Sequence, residues 1–203
     1  DPHQSARQVL AELSADYPPP ARLLQSVHDE FAGLITFLRQ HPIITIPSDL
    51  QPILEETPPF LRATTLASMD TPGPFETTAS AAYFYVTLPD PAWDPATTRE
   101  FMAAYNFSSI SNTVVHEAYP GHYIQFLWMH EVPDRVRKMF GAASNSEGWA
   151  HYCEQMMLDE GYGQPGTGAH DARQALLLRL GQLQDALLRD ARFVVAIRMH
   201  TGT

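Results

Sequence analysis

The sequence VVHEAYPGHYIQ, residues 114–125, places two histidines and a glutamate within seven positions. Zinc in catalytic sites takes imidazole nitrogen and carboxylate oxygen, and it usually has three protein ligands with a fourth position left for water. The apolar residues around the two histidines favour a site shielded from bulk water. This stretch therefore predicts that His116 and His122 are two of three zinc ligands.

The spacing of these histidines differs from that in the zincin helix, where His-Glu-x-x-His places both ligands on one helical face. His116 and His122 are six residues apart, and on an unbroken helix the second side chain would point about 240° away from the first. Pro120 lacks the amide hydrogen that would bond to the carbonyl of His116, and Gly121 can adopt backbone conformations that other residues avoid. We therefore predict a two-residue bulge that brings His122 to the ligand position.

A third ligand is expected in NSEGWAHYCEQMM, residues 145–157. Asn145 or Ser146 is suited to cap a helix, and apolar residues follow on one face. Glu147 would then project from the first turn of a second helix, which is the arrangement of the glutamate zincins. His151 lies four residues further on and would share that face, so ligation, a supporting role and simple solvation all remain open for it.

These two motifs, HEAYPGHYIQ and SEGWAHYCEQ, closely resemble the bacterial family catalogued as domain of unknown function 885. That family's pattern runs His-Glu-x-x-Pro-Gly-His and then Glu-Gly-Trp-Ala, and the family is similar to zinc metallopeptidases of the glutamate-zincin kind. The resemblance implies zinc on His116, His122 and Glu147, with Glu117 as the general base.

The resemblance extends more weakly beyond the two motifs. It includes PGPFE at residues 72–76, the tyrosine-rich stretch after it and residues 192–202, so that about residues 40 to 203 are covered. His151 departs from the family pattern, which usually has an apolar residue there. Family members are much longer, which implies that this chain is a fragment and that a missing N-terminal portion associates with it.

Composition limits the classes of function. The chain has 203 residues, 44% of them hydrophobic, which is enough to bury a sizeable core. Its net charge of -10, without a Lys/Arg cluster that could follow phosphates, leads us to expect no nucleic-acid partner. The single Cys153 excludes an intrachain disulfide framework. No apolar run approaches about 18 residues, so we expect a soluble chain without a membrane span. Its compartment is left open, including export of a full-length precursor.

The chain is predicted to divide near residue 45. Residues 1–45 are predicted to form an N-terminal helical hairpin, and residues 46–203 are predicted to form the zincin-like metal-binding core. Prolines recur from residue 42 to residue 74 and exclude long regular elements there. Within that segment we predict a short strand at residues 43–46 and a short helix at residues 60–69.

The strongest strand prediction is AAYFYVTL, residues 81–88, which combines aromatic and β-branched residues. In zincins a strand beside the metal commonly offers its edge to an extended peptide. Tyr83 and Tyr85 share one face of this strand. They either line the cleft or pack against the core.

Further helices are predicted at residues 97–106, 108–118, 122–132, 133–140 and 169–199. In the second of these, Ser111, Asn112 and Thr113 precede His116 by about one turn and are placed to orient its ring. Glu154 either bonds a ligand histidine or forms a salt bridge along its own helix. The leucines and valines of the last helix are available for packing.

The combined expectation is a mainly α fold, a zincin-like helical metallopeptidase core with a short β element lining the cleft. We expect a zinc-dependent hydrolase of peptides or other amides, in which Glu117 takes a proton from metal-activated water and returns it to the leaving amine. A donor would stabilise the oxyanion, and the candidates, largely from the resemblance, are Tyr83, Tyr85, Arg192 and His200.

Two other classes of function use the same residues. A metal-dependent hydrolase of a non-peptide amide or ester would have the same ligands and a different cleft. An inactive helical scaffold or binding module would hold a structural metal. A closed fourth coordination position favours the structural class, whereas an open one beside Glu117 favours catalysis.

Overall fold

The structure is a computed structural model that describes residues 3–167 and 171–202. The strands are β1 (Ile53–Glu56), β2 (Ala67–Asp70) and β3 (Tyr83–Val86). The α-helices are α1 (Ala6–Ala15), α2 (Leu23–Gln40), α3 (Pro95–Ala103), α4 (Phe107–Glu117), α5 (His122–Glu131), α6 (Arg135–Met139), α7 (Ala143–Asp159) and α8 (Ala172–Thr201). The prediction of a mainly helical fold with a small β element is confirmed.

Helix α4 lies at the centre of the core. It packs against α2, α7 and α8, and it also contacts β2. Six of its residues are buried: Ser108, Ile110, Ser111, Asn112, Val114 and Val115. Because α4 ends in His116 and Glu117, the packing around it determines where these two side chains lie.

Helix α8 approaches α4 closely at Gly181. A Cβ atom at this position would lie 2.1 Å from the Oγ of Ser108, so a larger residue would force the two helices apart. The Ser108 hydroxyl donates to the carbonyl of Leu177 at 2.9 Å, which satisfies a polar group inside the contact.

The C-terminal half of α8 is exposed, so the prediction that its apolar residues pack is wrong there. Leu177 and Leu178 are buried. Leu180 is half-buried, and the exposed large apolar side chains further along the helix are Leu183, Leu187, Leu188, Phe193, Val194, Val195, Ile197 and Met199. Helix length explains the difference, since α8 is about 45 Å long and α4 only about 17 Å. Residue 169, the predicted start of this helix, lies outside the described residues.

The N-terminal helices differ in how they contribute to the core. Val27, Phe31 and Leu34 of α2 belong to the same hydrophobic cluster as Val114 of α4. In α1, Leu13 is the buried residue. The division near residue 45 stays a prediction, and α2 shares its core with the helices that carry the predicted ligands.

The three strands form one sheet in the order β1-β3-β2, with β1 parallel and β2 antiparallel to β3. The strand predicted at residues 81–88 is confirmed as β3, but it is the central strand and has no free edge. Strand β2 is the edge strand near α4. The helix predicted at residues 60–69 is wrong, because residues 67–70 pair with residues 83–86 of β3. The strand predicted at residues 43–46 does not form either.

Among the described residues, no helix has both the length and the apolar character that crossing a membrane requires.

Candidate metal centre

The two histidines meet because the helix is interrupted between them. Helix α4 ends at Glu117 and α5 begins at His122, so residues 118–121 form a turn between two helices rather than a bulge inside one. The amide of Gly121 donates to the carbonyl of Val115 at 3.0 Å. The imidazole rings then lie edge to face, with centroids 4.8 Å apart and planes at 89°.

Gly121 is required by this turn. A Cβ atom there would lie 1.8 Å from the carbonyl oxygen of His116 and 2.5 Å from that of Val115. Both contacts involve backbone atoms of α4, which cannot move aside as the end of a flexible side chain can. The close approach of the turn to α4 is therefore possible only for glycine.

Glu147 completes a cluster of three possible ligands. One of its carboxylate oxygens lies 3.5 Å from Nε2 of His116, and the other lies 3.7 Å from Nε2 of His122. One ligand atom from each of the three residues lies within 4.8 Å of the others. Two donors bound tetrahedrally to one zinc ion are about 3.3 Å apart, which is close to the two distances between Glu147 and the histidines.

The side chain of Glu147 projects from α7 toward solvent. It is 65% exposed, whereas those of His116 and His122 are 13% and 9% exposed. Helix α7 begins at Ala143 with Ala142 as its N-cap. The predicted cap at Asn145 or Ser146 is therefore wrong, because the helix starts earlier and Glu147 lies in its second turn.

A buried carboxylate orients His116 by contacting Nδ1, the ring nitrogen that does not face Glu147. Nδ1 of His116 lies 2.7 Å from Oε1 of Glu154, whose side chain is fully buried. Arg189 of α8 contacts both oxygens of the same carboxylate, at 2.7 and 2.8 Å. Burial opposes ionisation of Glu154, but the hydrogen bond from His116 and the charge of Arg189 outweigh it, so the pKa of Glu154 lies below its usual value. An ionised Glu154 keeps the proton of His116 on Nδ1 and leaves Nε2 free to bind a metal.

Asn112 supports this arrangement indirectly. Its amide donates to Glu154 at 3.0 Å and to Asp185 of α8 at 2.6 Å. The predicted orienting role of residues 111–113 is therefore performed by Glu154, with Asn112 as its partner. Of the two predictions for Glu154, the structure shows the hydrogen bond to His116, a predicted ligand.

The electrostatic environment of His122 favours its neutral form. Burial lowers the pKa of His122, and the neighbouring His116 lowers it further. Its ring stacks on that of Phe126, with centroids 5.6 Å apart. Metal ligation requires an unprotonated imidazole nitrogen, and this environment supplies one.

Glu117 lies beside the cluster and is held by β2. Its Oε2 accepts the backbone amide of Met69 at 3.0 Å. Burial raises the pKa of Glu117 to about 7, although the charge of His116 opposes the shift. A carboxyl group with such a pKa can accept and release protons near neutrality. The sequence does not predict the contact with Met69, because this residue falls within the helix predicted at residues 60–69.

The sequence matches the family described as "Bacterial protein of unknown function (DUF885)" over residues 2–203. The chain belongs to this family. The resemblance drawn from the two motifs is thereby confirmed at the level of the DUF885 family.

A solved structure is also similar to this DUF885 chain. It is described as "a putative lipoprotein of unknown function from Shewanella oneidensis", with 30% sequence identity and a TM-score of 0.70. The match covers 86% of the present chain and 29% of the other chain. No functionally curated protein matches the sequence.

The remaining predicted site residues of the DUF885 chain lie at different places. Tyr83 and Tyr85 stack with ring centroids 5.6 Å apart, on the half-buried face of β3. Arg192 lines a cavity that also contains Glu147. His200 is exposed, and its Nδ1 lies 2.7 Å from the carbonyl of Ala196 in its own helix. His200 is not among the residues that line this cavity.

His151 is not part of the ligand cluster. Its Nδ1 lies 3.4 Å from Glu154 and 3.3 Å from Arg189. Arg189 and Asp185 were missed by the sequence reasoning, since nothing in the pattern of α8 connects them to a histidine about 70 positions earlier.

Two cavities flank the cluster. One, of about 440 Å³, lies between α7 and α8 beside Glu147. The other, of about 230 Å³, lies beside α5, and its walls include Phe126, which stacks on His122. Glu76 lines this second cavity and also accepts three amide hydrogen bonds from residues 77–79.

Proposed function

We propose that this chain is the metal-binding part of a zinc-dependent hydrolase of the glutamate-zincin kind, acting on peptide bonds. The observation that carries the proposal is the cluster of His116, His122 and Glu147, whose ligand atoms lie within 4.8 Å of one another. A half-buried carboxyl group, that of Glu117, follows the first proposed ligand directly in the chain and interacts with the charges of both His116 and Glu147.

The residues present fit zinc. Two imidazole nitrogens and one carboxylate oxygen are a common ligand set of catalytic zinc. Zinc, when bound, supplies Lewis acidity toward water and a substrate carbonyl. The exposure of Glu147 leaves this side of the cluster accessible to solvent, which supports an open fourth position and thus a catalytic rather than a structural metal.

Glu117 is the proposed general base. Its Oε2 is occupied by the amide of Met69, so Oε1 is the atom that accepts the proton of the attacking water. The water oxygen bonds to the substrate carbonyl carbon, the carbon–nitrogen bond breaks, and the proton passes from Oε1 to the leaving amine. Burial raises the pKa of Glu117 to about 7 in the metal-free chain, and a zinc ion bound beside it would lower this pKa and so favour the ionised form that a base requires.

Strand β2 takes the substrate-aligning role that the sequence suggested for β3. Met69 directs its amide away from β3 and toward Glu117. In an antiparallel pair the carbonyl of such a residue faces the same side as its amide, so it can accept a hydrogen bond from an extended peptide. A peptide lying along this edge would bring its backbone next to Glu117. Donors for the oxyanion are proposed among Tyr83, Tyr85 and Arg192.

Two alternatives use the same cluster. A hydrolase of a non-peptide amide or ester needs no edge strand, and a scaffold with a structural metal needs no general base. The contact between Glu117 and the edge strand favours the peptidase over both.

Metal content and peptide cleavage test the proposal together. Wild type, His116→Ala and Glu117→Gln are purified without chelator, with His28→Ala as the matched control because that side chain is 62% exposed on α2. We expect about one zinc per chain in all except His116→Ala. Cleavage of a mixed peptide library, followed by mass spectrometry, should occur in wild type and His28→Ala and be absent from Glu117→Gln.

Either of two results would contradict the proposal. Wild type that binds no zinc after the ion is added back would exclude the metal centre. Wild type that holds zinc but cleaves no peptide would favour one of the alternatives.

We further propose that the full-length protein is exported and that its remaining portion associates with this part. The Shewanella oneidensis chain, of which this chain matches 29%, is described as "a putative lipoprotein of unknown function", and that description supports export.

A further inference from the structure

The cavity between α7 and α8 adjoins the proposed metal centre on its solvent side. Glu147, Gly148 and His151 line it from α7, and Arg189, Arg192 and Phe193 line it from α8. Its volume of about 440 Å³ is in the range of pockets that take small ligands. Since Glu147 is both a proposed ligand and a wall of the cavity, a molecule bound there would lie next to the metal.

The two arginines of this cavity have different roles. Arg189 is neutralised by the buried carboxylate of Glu154, which it contacts through both of its terminal nitrogens. Arg192, one turn further along α8, makes no ion pair or hydrogen bond within the part of the chain that the structure describes. It is an available cation in a chain whose net charge is -10.

The charges around the cavity leave an excess of positive charge when zinc is bound. The charge of Glu147 is then offset by the ion, and that of Glu154 is offset by Arg189. Arg192 has no such partner among the described residues, and its planar guanidinium matches a carboxylate with two parallel hydrogen bonds. The cavity is therefore suited to a carboxylate that lies close to the bond being cleaved.

We propose that this cavity binds the C-terminal carboxylate of a peptide substrate through Arg192, so that cleavage occurs close to the C-terminus. Phe193 and Ala196 form an apolar wall beside Arg192, which suits an apolar C-terminal residue. This inference rests on the proposed peptidase function. It leaves Tyr83 and Tyr85 as the donors for the oxyanion.

Binding can be measured without turnover in the zinc-loaded Glu117→Gln variant. The probes are acetyl-Ala-Ala-Ala-Phe with a free C-terminus, the same peptide as a C-terminal amide, and acetyl-Ala-Ala-Ala-Glu amide, which carries its carboxylate on a side chain. Isothermal titration calorimetry should show the free acid binding at least about tenfold more tightly than either amide.

Arg192→Gln in the Glu117→Gln background should reduce this preference to less than about twofold. Arg192→Lys should retain only part of the preference, because lysine keeps the positive charge but cannot form the two parallel hydrogen bonds of a guanidinium. Arg198→Gln is the matched control. Arg198 is exposed further along the same helix, is not among the residues lining the cavity, and should leave the preference unchanged.

The inference would be overturned by equal binding of the acid and its amide, by a preference that survives Arg192→Gln, or by no binding of any probe. Tight binding of the glutamate amide would also overturn it, since the carboxylate would then come from an acidic side chain. If wild type holds zinc and cleaves the amide peptide, but the free acid binds no more tightly than the amide, this inference alone is contradicted. A chain that binds no zinc contradicts the proposed function.

Discussion

The Nδ1 atom of His116 lies 2.7 Å from Oε1 of Glu154, and the carboxylate it meets is fully buried. The two residues are 38 positions apart and are brought together by the packing of α4 against α7. Arg189, from α8, compensates the charge of that carboxylate. Three helices therefore jointly determine the orientation of one imidazole.

Glu154→Gln should weaken zinc binding. The amide keeps the size of the side chain but loses the charge that holds the proton on Nδ1 of His116, and it leaves Arg189 without a counter-charge. We expect the zinc dissociation constant to rise about 10- to 100-fold, measured by competition with a chromogenic chelator. Glu131→Gln is the control, because Glu131 is an exposed residue of α5. Equal zinc affinity in the two variants would show that Glu154 does not act on His116.

Gly121→Ala should disrupt the turn between α4 and α5. The added Cβ would meet the carbonyl oxygen of His116 at 1.8 Å, so the turn must move and separate the two histidines. We expect a loss of more than about 4 kcal/mol in the free energy of unfolding, measured by urea denaturation, together with loss of zinc. Gly141→Ala is the control, because its Cβ meets nothing within 4 Å. A fully stable Gly121→Ala protein would contradict the geometry of the turn.

The metal-free chain should become less stable as pH rises through the range set by Glu117. Burial raises the pKa of this carboxyl from 4.5 to about 7 on folding. Between these two values the folded state binds the proton and the unfolded state does not, so the free energy of unfolding falls with increasing pH. The contribution is at most about 3 kcal/mol.

This contribution is isolated by comparing the free energy of unfolding of wild type with that of Glu117→Gln. Both are measured by urea denaturation in the presence of chelator, at pH 5 and at pH 8. Glutamine can still accept the Met69 amide and does not titrate. The stability of the variant relative to wild type should therefore increase from pH 5 to pH 8. An unchanged difference would show that Glu117 has an ordinary pKa.

Cys153 should be unreactive in the native chain. Its side chain is fully buried in α7, and burial raises the pKa of the thiol to about 12. Alkylation by iodoacetamide at pH 8 should be at least about 100-fold slower in buffer than in denaturant, because only the thiolate of an accessible cysteine reacts. Mass spectrometry of timed samples measures both rates. Equal rates would mean that α7 does not pack as described.

The local chemistry of the site was predictable from the sequence. The residue types in HEAYPGHYIQ and SEGWAHYCEQ indicated a set of two histidines and one glutamate, and Pro120 and Gly121 indicated that a regular helix could not continue between the histidines. The structure places these three side chains together. Such inferences succeed because they depend on residues close in sequence, whose steric and hydrogen-bonding preferences act within a turn or two.

The tertiary structure alone decided which residues support this site. Residues 67–70 form the edge strand that holds Glu117 because they pair with residues 83–86, although their sequence also allowed a helix. Glu154 bonds His116 rather than forming a salt bridge along its own helix because α4 and α7 pack together. Arg192 lies beside Glu147 because α8 crosses the same region. These contacts join residues far apart in the chain, and their free energy depends on the packing of whole elements, which no local pattern encodes.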